Sequence, residues 1–271
     1  TYHAVNISGN DYATNDHVAF ATDLRLIHDL GLRIVPLHRV VATLLGRTDD
    51  DLSGCVVLTC DDGTDLDYHD LDWPGHGMQR SLFNCLRDFQ AEFGETAQPG
   101  LHLTAFVIAS NEARAHMDRE CLFGRDWMNA EWWRPALESG LIAIENHSWD
   151  HNHTAIPLPG IGGMTRGSFH DVNDIERADA EIIAAARAID AHIAPARTTL
   201  FCYPFGHVPE FLQRDYFPNR IDEHGMDAAF GDAGAALTEQ TDRWNIPRYV
   251  CGWHWKSPDE LRAILLESAK G

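Results

Sequence analysis

The chain has 271 residues, of which 44% are hydrophobic and 23% charged, as in ordinary globular proteins and unlike disordered ones. It carries 41 acidic and 21 basic residues, a formal net charge of −20, and no cluster of Lys or Arg. This balance argues against nucleic-acid binding, because phosphate recognition needs clustered cations. No apolar run approaches the roughly 18 residues that span a bilayer, so membrane insertion is not expected.

Short apolar runs alternate with longer amphipathic stretches along the chain. The pattern predicts strands at residues 3–7, 32–36, 55–60, 101–109, 141–145, 199–203 and 248–252. It predicts helices at residues 20–30, 37–45, 80–93, 127–139, 174–193 and 258–268. This alternation favours a single α/β domain over residues 1–271, with a parallel sheet closed or nearly closed into a barrel. Catalytic groups of such folds gather at the carboxyl ends of the strands.

Two long loops, at residues 64–77 and 153–168, are expected to shape a substrate groove. The Gly-rich stretch at 160–167 lacks the lysine and the spacing of a phosphate-binding loop. The sequence therefore gives no indication of a nucleotide cofactor.

The six cysteines show no CxxC spacing, so a zinc ribbon or a thioredoxin-like motif is not predicted. Four of them lie in apolar segments, where a free thiol behaves as a small hydrophobic group. This usage favours a reducing, cytoplasmic compartment. The start at Thr1 is equally compatible with a processed secreted protein, so the compartment stays open.

Two adjacent carboxylates and two histidines follow predicted strands. Asp61 and Asp62 end the strand at 55–60, and His147 and His151 follow the strand at 141–145. If the histidine segment forms a helical turn, residues four apart share one face and both imidazoles can reach one ion. Two histidines and one carboxylate are the donor set of a catalytic zinc or related divalent site.

Each signal alone has a plainer interpretation. Asp61-Asp62-Gly63 can form a turn in which glycine supplies the positive φ, and the histidines can be loop residues that bind Asp150 or the backbone. Carboxylates directly after a buried strand nevertheless need a compensating charge. A divalent cation provides it by binding one carboxylate and leaving the other to accept a proton.

The same segments resemble the polysaccharide deacetylases (carbohydrate esterase family 4, NodB homology domain). Residues 59–63 (TCDDG) are similar to the TFDDG motif of that family, and residues 147–151 (HSWDH) match its H-[ST]-x-x-H motif. Residues 201–206 (FCYPFG) resemble the FAYPYG form of the third motif. Residues 104–107, 246–248 and His3 give supporting matches, so the resemblance spans nearly the whole chain.

The resemblance implies a distorted (β/α)7 barrel related to the TIM barrel, with one divalent metal, usually zinc. Asp62, His147 and His151 would be the ligands, and Asp61 the general base for a metal-activated water. The backbone N–H of Phe205 would help to hold the oxyanion. The implied function is hydrolysis of N- or O-linked acetyl groups on a carbohydrate; the resemblance leaves open which sugar, which bond and which oligomeric state.

Two positions depart from the family pattern. Many members begin the third motif with an arginine that orients the base, and this chain has Cys202 there; Arg248 is predicted to replace that arginine. The C-terminal histidine that acts as the acid is not cleanly present, and His254 is the nearest substitute. The plainer interpretation of that segment is stacking between Trp253 and Trp255.

The substrate contacts and the competing functions are predicted more broadly. Trp149, Tyr203 and Phe205 are candidate sugar-binding residues, and His153 and His170 are further candidates for the acid. One alternative function is a cyclic-amidase-like hydrolase acting on a small non-sugar substrate. A second alternative is a glycan-binding relic that keeps the metal but has lost catalysis.

Overall fold

The computed structural model describes residues 1–156 and 167–269. Residues 160–166 of the Gly-rich stretch and most of the predicted loop at 153–168 therefore lie outside the described residues. The strands are β1 (Arg33–Ile34), β2 (Cys55–Val56), β3 (Leu58–Cys60), β4 (Leu71–Trp73), β5 (Gly77–Gln79), β6 (Leu103–Val107), β7 (Ile142–Asn146), β8 (Leu200–Cys202) and β9 (Ala228–Phe230). The α-helices are α1 (Asp16–Asp29), α2 (Leu37–Leu44), α3 (Leu82–Phe93), α4 (Asn111–Cys121), α5 (Trp133–Glu138), α6 (Ile175–Ala178), α7 (Ala185–Ile193), α8 (Phe217–Asn219), α9 (Ile221–His224) and α10 (Pro258–Ser268).

The largest sheet has five strands in the order β3-β6-β7-β8-β9. Its pairs β3–β6, β7–β8 and β8–β9 are parallel, with Leu58 opposite Leu103, Asn146 opposite Phe201 and Leu200 opposite Ala228. Two small sheets accompany it, the parallel pair β1–β2 and the antiparallel hairpin β4–β5. The strands of the main sheet are buried on both faces, which explains their nearly continuous apolar sequence.

The helices begin where the sequence supplies a capping side chain. Asn15 accepts from the backbone N–H groups of His17 and Val18, so α1 begins four residues before the predicted start at 20. Ser81 and Ser257 cap α3 and α10 in the same way. The helix predicted at 174–193 is continuous from α6 to α7, with a π-helical segment at Asp179–Ala184 between them.

Several predicted elements are wrong in detail. Residues 3–7 form turns instead of a strand, with isolated bridges from Tyr2 to Cys60 and from Ile7 to Asn15. The strand at 248–252 is absent, because the Val250 N–H donates to the imidazole of His254 instead of to a neighbouring strand. The helix at 127–139 is limited to α5, and the run 55–60 is split between β2 and β3.

The chain divides into two compact units. The first unit comprises Thr1–Ala105, Ala136–Ala143 and Tyr249–Gly271. Within it, α1 packs against α3 and α10. The single domain expected for residues 1–271 stays a prediction.

The second unit comprises Phe106–Pro135 and Ile144–Arg248. An apolar cluster of this unit joins the helix at 175–193 to β8 and β9 through buried side chains that include Ile182, Phe201 and Ala229. No helix within the described part of the chain is long and apolar enough to cross a membrane.

Candidate metal and catalytic site

The first unit presents the two aspartates in a tight turn directly after β3. Asp61 is 5% exposed, and its backbone N–H donates to the Tyr2 carbonyl at 3.2 Å, which extends the pairing of this strand by one residue. Asp62 has a φ of 75° and is followed by Gly63 at 74°. A non-glycine residue in the left-handed region is uncommon, and such strain is concentrated at functional sites.

The amino-terminal segment supplies two polar groups to Asp61. Thr1 Oγ1 donates to Asp61 Oδ1 at 3.3 Å, and His3 Nε2 lies 4.0 Å from Asp61 Oδ2. The His3 backbone N–H donates to Asp16, which fixes the position of this segment. The sequence indicated His3 only as a supporting match to the family, and its position beside Asp61 was missed because that contact depends on the tertiary fold.

A third carboxyl group lies behind the two aspartates. Asp67 is fully buried, and burial raises its pKa well above the ordinary range, with the negative charge of nearby Asp62 adding to the effect. Burial therefore favours the uncharged form of the Asp67 carboxyl group.

The second unit presents His147 directly after β7. The His147 backbone N–H donates to the Val107 carbonyl at 2.9 Å, and its Nδ1 lies 2.9 Å from the Cys202 carbonyl. That contact makes Nδ1 the protonated nitrogen, because a carbonyl can only accept. The lone pair of His147 is then on Nε2, the arrangement typical of histidine ligands whose other nitrogen is fixed by a backbone carbonyl.

His151 reaches the neighbourhood of His147 through a strained loop and not through a helix. Ser148, His151 and Asn152 all have positive φ, at 72°, 63° and 46°. The His151 backbone N–H donates to Ser148 Oγ, and the two imidazole rings lie 4.8 Å apart. The predicted proximity of the histidines is confirmed, and the helical turn invoked to explain it is wrong.

Two groups of donor side chains among the described residues could each hold a metal ion. One is the predicted set of Asp62, His147 and His151. The other consists of Asp61, His147 and Cys202, so the thiol at the start of the third motif was missed as a possible donor.

Arg248 lies beside Cys202, the position where many polysaccharide deacetylases carry an arginine. Its Nη2 lies 2.8 Å from Cys202 Sγ, and its Nε donates to the Gly231 carbonyl at 3.0 Å. The guanidinium also lies over the Phe106 ring at 5.4 Å. These contacts bring a buried cation to the start of the third motif.

The predicted acid, His254, lies in the first unit. Its Nδ1 accepts from the Val250 backbone N–H at 2.8 Å, and its ring is parallel to that of Trp253 at 5.8 Å. Trp253 is 72% exposed, whereas Trp255 is 3% exposed. The ring that stacks on Trp253 is that of His254 and not that of Trp255 as predicted.

The predicted substrate residues differ in exposure. Phe205 is 38% exposed and Trp149 36%, and both are available to a ligand. Tyr203 is 1% exposed, and its hydroxyl donates to the Trp244 carbonyl at 2.8 Å. Tyr203 is therefore a core residue of the second unit, which does not support a direct substrate contact.

The polysaccharide deacetylase family model matches residues 49–228, which include the two aspartates, the two histidines and the third motif. The chain belongs to this family. Membership implies deacetylation of a carbohydrate and the α/β fold of its members. Among curated proteins, no sequence match is found.

Three solved structures have the same fold. The de-N-acetylase from Aggregatibacter actinomycetemcomitans matches with a TM-score of 0.63 at 12% identity, covering 97% of this chain and 97% of that chain. IcaB from Ammonifex degensii matches with a TM-score of 0.60 at 16% identity, covering 100% and 96%. The Streptococcus pyogenes deacetylase PplD, solved with acetate, matches with a TM-score of 0.60 at 15% identity, covering 97% and 95%. The predicted fold class, a distorted (β/α) barrel, is thus confirmed.

Proposed function

We propose that this protein is a metal-dependent hydrolase that removes N- or O-linked acetyl groups from a carbohydrate, with Asp62, His147 and His151 as the ligands of one zinc ion. The observation that carries the proposal is the fixed orientation of His147, whose Nδ1 faces the Cys202 carbonyl and leaves Nε2 for a metal.

The donor set fits a catalytic metal. Two imidazoles and one carboxylate leave coordination positions open, which is the composition of catalytic rather than structural zinc sites. A bound metal would polarise the acetyl carbonyl and activate water. The strained φ angles of Asp62 and His151 agree with backbone held in place for ligand presentation.

Asp61 is the proposed general base. It is buried. Thr1 Oγ1 donates to one of its carboxylate oxygens, and His3 Nε2 lies 4.0 Å from the other. In this role it accepts a proton from the attacking water, and the proton source for the leaving group is a second residue. His254 is the proposed acid. We expect His254→Gln to lower kcat at unchanged metal content, and an unchanged kcat would exclude this role.

Arg248 is the proposed orienting cation of the base. Its contact with Cys202 supports this role, because that cysteine stands where relatives have the arginine. The backbone N–H of Phe205 is the proposed donor to the developing oxyanion, aided by a turn in which Phe205 adopts a φ of 59°.

The ligand assignment is tested by measuring the metal content of three purified proteins after chelation and reloading with zinc. We expect about one zinc ion per chain in the wild type. We expect His147→Ala to bind zinc at least about 100-fold more weakly, because only two of the three protein ligands remain.

His192→Ala is the matched control, since His192 is an exposed histidine of the same unit outside both donor groups. It is expected to bind zinc like the wild type. If His147→Ala bound one zinc ion per chain with the affinity of the wild type, the ligand assignment would be refuted.

A further inference from the structure

A π-helical segment interrupts the long helix that precedes β8 in the second unit. The helix runs from α6 to α7, and its residues Asp179–Ala184 form π-helical turns. We call these residues the π segment. Such segments are rare in proteins and are frequently found at functional sites. Two residues of the π segment contact residues 146–150, which carry the first of the two predicted histidine ligands.

Glu181 of the π segment binds the backbone between the two histidines. It is 4% exposed, and its Oε2 accepts from the Trp149 N–H at 3.1 Å and from the Asp150 N–H at 3.5 Å. A buried carboxylate is costly without hydrogen-bond donors, and a hydrogen bond to a charged acceptor is about twice as strong as a neutral one. Glu181 and this stretch of backbone therefore stabilise each other.

The loop that carries the histidines needs an acceptor from another element because its own backbone is irregular. Ser148, His151 and Asn152 adopt left-handed φ angles, and residues 147–152 belong to neither a helix nor a strand. Helices and sheets satisfy their own backbone N–H groups, whereas buried loops depend on side chains or water for this. The carboxylate of Glu181 is such a side chain.

A second contact connects the same loop to the π segment. Asn146 Nδ2 donates to the Ile182 carbonyl at 3.0 Å, and Asn146 Oδ1 accepts from the Ser148 N–H at 2.8 Å. Ser148 Oγ in turn accepts from the His151 N–H at 2.9 Å. A continuous series of hydrogen bonds therefore leads from the π segment to His151.

The π segment is itself held in place by tertiary contacts. Asp179 accepts from Tyr216 Oη at 2.7 Å and from Arg220 Nη1 at 2.9 Å. Ile182 is fully buried and belongs to the apolar cluster that joins this helix to β8 and β9. The segment therefore provides a fixed support for the loop.

We infer that Glu181 is a positioning residue of the metal site, whose carboxylate fixes the backbone between His147 and His151 and thereby holds both imidazoles where one ion can bind them. The inference rests on the proposed function, because it takes both histidines as metal ligands. It extends that function to a residue that belongs to neither donor group and lies 31 residues along the chain from Asp150.

The test measures the zinc affinity of purified protein by competition with a chromophoric chelator. We expect Glu181→Ala to bind zinc about 100-fold more weakly than the wild type, because residues that orient metal ligands contribute about 10- to 100-fold to affinity. Glu181→Gln keeps an oxygen acceptor and loses the charge, so we expect a loss of about 10-fold. The Gln variant carries the test if Glu181→Ala does not fold.

Asp118→Ala is the matched control. Asp118 is also 4% exposed, and its carboxylate accepts from two consecutive backbone N–H groups of the same unit, those of Asp126 at 2.9 Å and Trp127 at 3.0 Å. It lies outside both donor groups. We expect both Ala variants to unfold at lower urea concentrations than the wild type, because each leaves two N–H groups without this acceptor. The zinc affinity of Asp118→Ala is expected to equal that of the wild type.

The absorption spectrum of the cobalt(II)-loaded protein provides a second measurement. Its d–d bands depend on the geometry of the ligands around the ion. We expect these bands to change in Glu181→Gln and to stay unchanged in Asp118→Ala. A residue that only stabilises the fold would lower the urea midpoint without changing this spectrum.

The outcomes separate the inference from the proposed function. Wild-type zinc affinity in Glu181→Gln, or an equal loss of affinity in Asp118→Ala, would overturn the inference and leave deacetylation to be judged by acetate release. Weaker zinc binding by the Glu181 variants, in a protein whose zinc-loaded wild type releases no acetate, would support the inference and reject deacetylation. A wild-type protein that binds no zinc would reject both.

Discussion

Asp23 shows how a single buried residue can support the candidate site of the first unit. Its carboxylate accepts hydrogen bonds from Tyr2 Oη at 2.9 Å, Tyr12 Oη at 2.6 Å and Trp255 Nε1 at 3.3 Å. Tyr2 in turn is tied to the strand that ends at Asp61, through its backbone N–H to the Thr59 carbonyl. Asp23 thus anchors the segment that brings a histidine to the proposed base.

The protonation of Asp23 predicts a pH dependence of stability. Burial raises its pKa to about 6, with its three hydrogen-bond donors opposing the shift. Because the pKa of an unfolded aspartate is near 3.9, the folded state holds an extra proton between about pH 4 and pH 6. The stabilisation is present below this window and is lost as the pH rises through it, by about 3 kcal/mol in all.

The measurement is urea unfolding of wild-type protein and Asp23→Asn at several pH values. The asparagine cannot titrate, so the free energy of unfolding of the wild type should fall relative to that of the variant between pH 4 and pH 6. The difference should then stay constant to pH 8. Parallel curves for the two proteins across the whole range would show that Asp23 titrates normally.

Residues of the candidate site that belong to a sequence motif were predictable, and residues brought there only by the tertiary fold were not. The donor group of Asp62, His147 and His151 was predictable, because each residue follows a recognisable strand at a distinctive spacing. The proximity of His3 to Asp61 was not predictable. It depends on a turn, on the hydrogen bond from the His3 backbone N–H to Asp16, and on contacts between segments about 60 residues apart. The raised pKa of Asp67 was likewise not predictable, because its burial depends on the tertiary structure.

The turn after β8 is the element on which the proposed oxyanion donor, the backbone N–H of Phe205, depends. Gly206 in this turn has a φ of 63°, and an added Cβ would overlap the Asp232 carboxylate. Gly225, which ends α9, has a similar φ of 68° but no atom within 4 Å of the added Cβ. The two glycines therefore share backbone strain and differ in steric surroundings.

Gly206→Ala is expected to lower the free energy of unfolding more than Gly225→Ala. Backbone strain should cost each variant about 1 kcal/mol, and displacement of Asp232 should add about 1–3 kcal/mol at Gly206 alone. Urea unfolding of both variants at one pH measures the difference. Equal losses would mean that the carboxylate moves aside without cost and does not fix the turn.

Element boundaries were predictable where the causes are local. The helix predicted at 258–268 is α10 without change, because Ser257 and Pro258 define its start. The strands at 3–7 and 248–252 were wrong, since their apolar residues are buried by tertiary packing while their backbone groups bond to turns and side chains. The hairpin β4–β5 and α4 were missed because neither has strong apolar periodicity.

For the whole molecule, the family and the fold were predictable from residues that occupy a small part of the chain. The motifs after β3, β7 and β8 match, and solved structures only 12–16% identical share the fold. The division into two compact units was not predictable, because it groups segments distant in sequence, such as 1–105 and 249–271. The charge of −20 agrees with a neutral substrate and indicates nothing finer.

The proposed metal-dependent deacetylation of a carbohydrate is best measured as acetate release from an N-acetylglucosamine tetramer. The protein is assayed as purified, after metal removal, and after restoration of zinc. We expect acetate release to fall at least about 100-fold without metal and to return with zinc. We expect none from His147→Ala at any zinc concentration. Acetate release by the metal-free protein, or by His147→Ala, at the rate of the zinc-loaded wild type would contradict it.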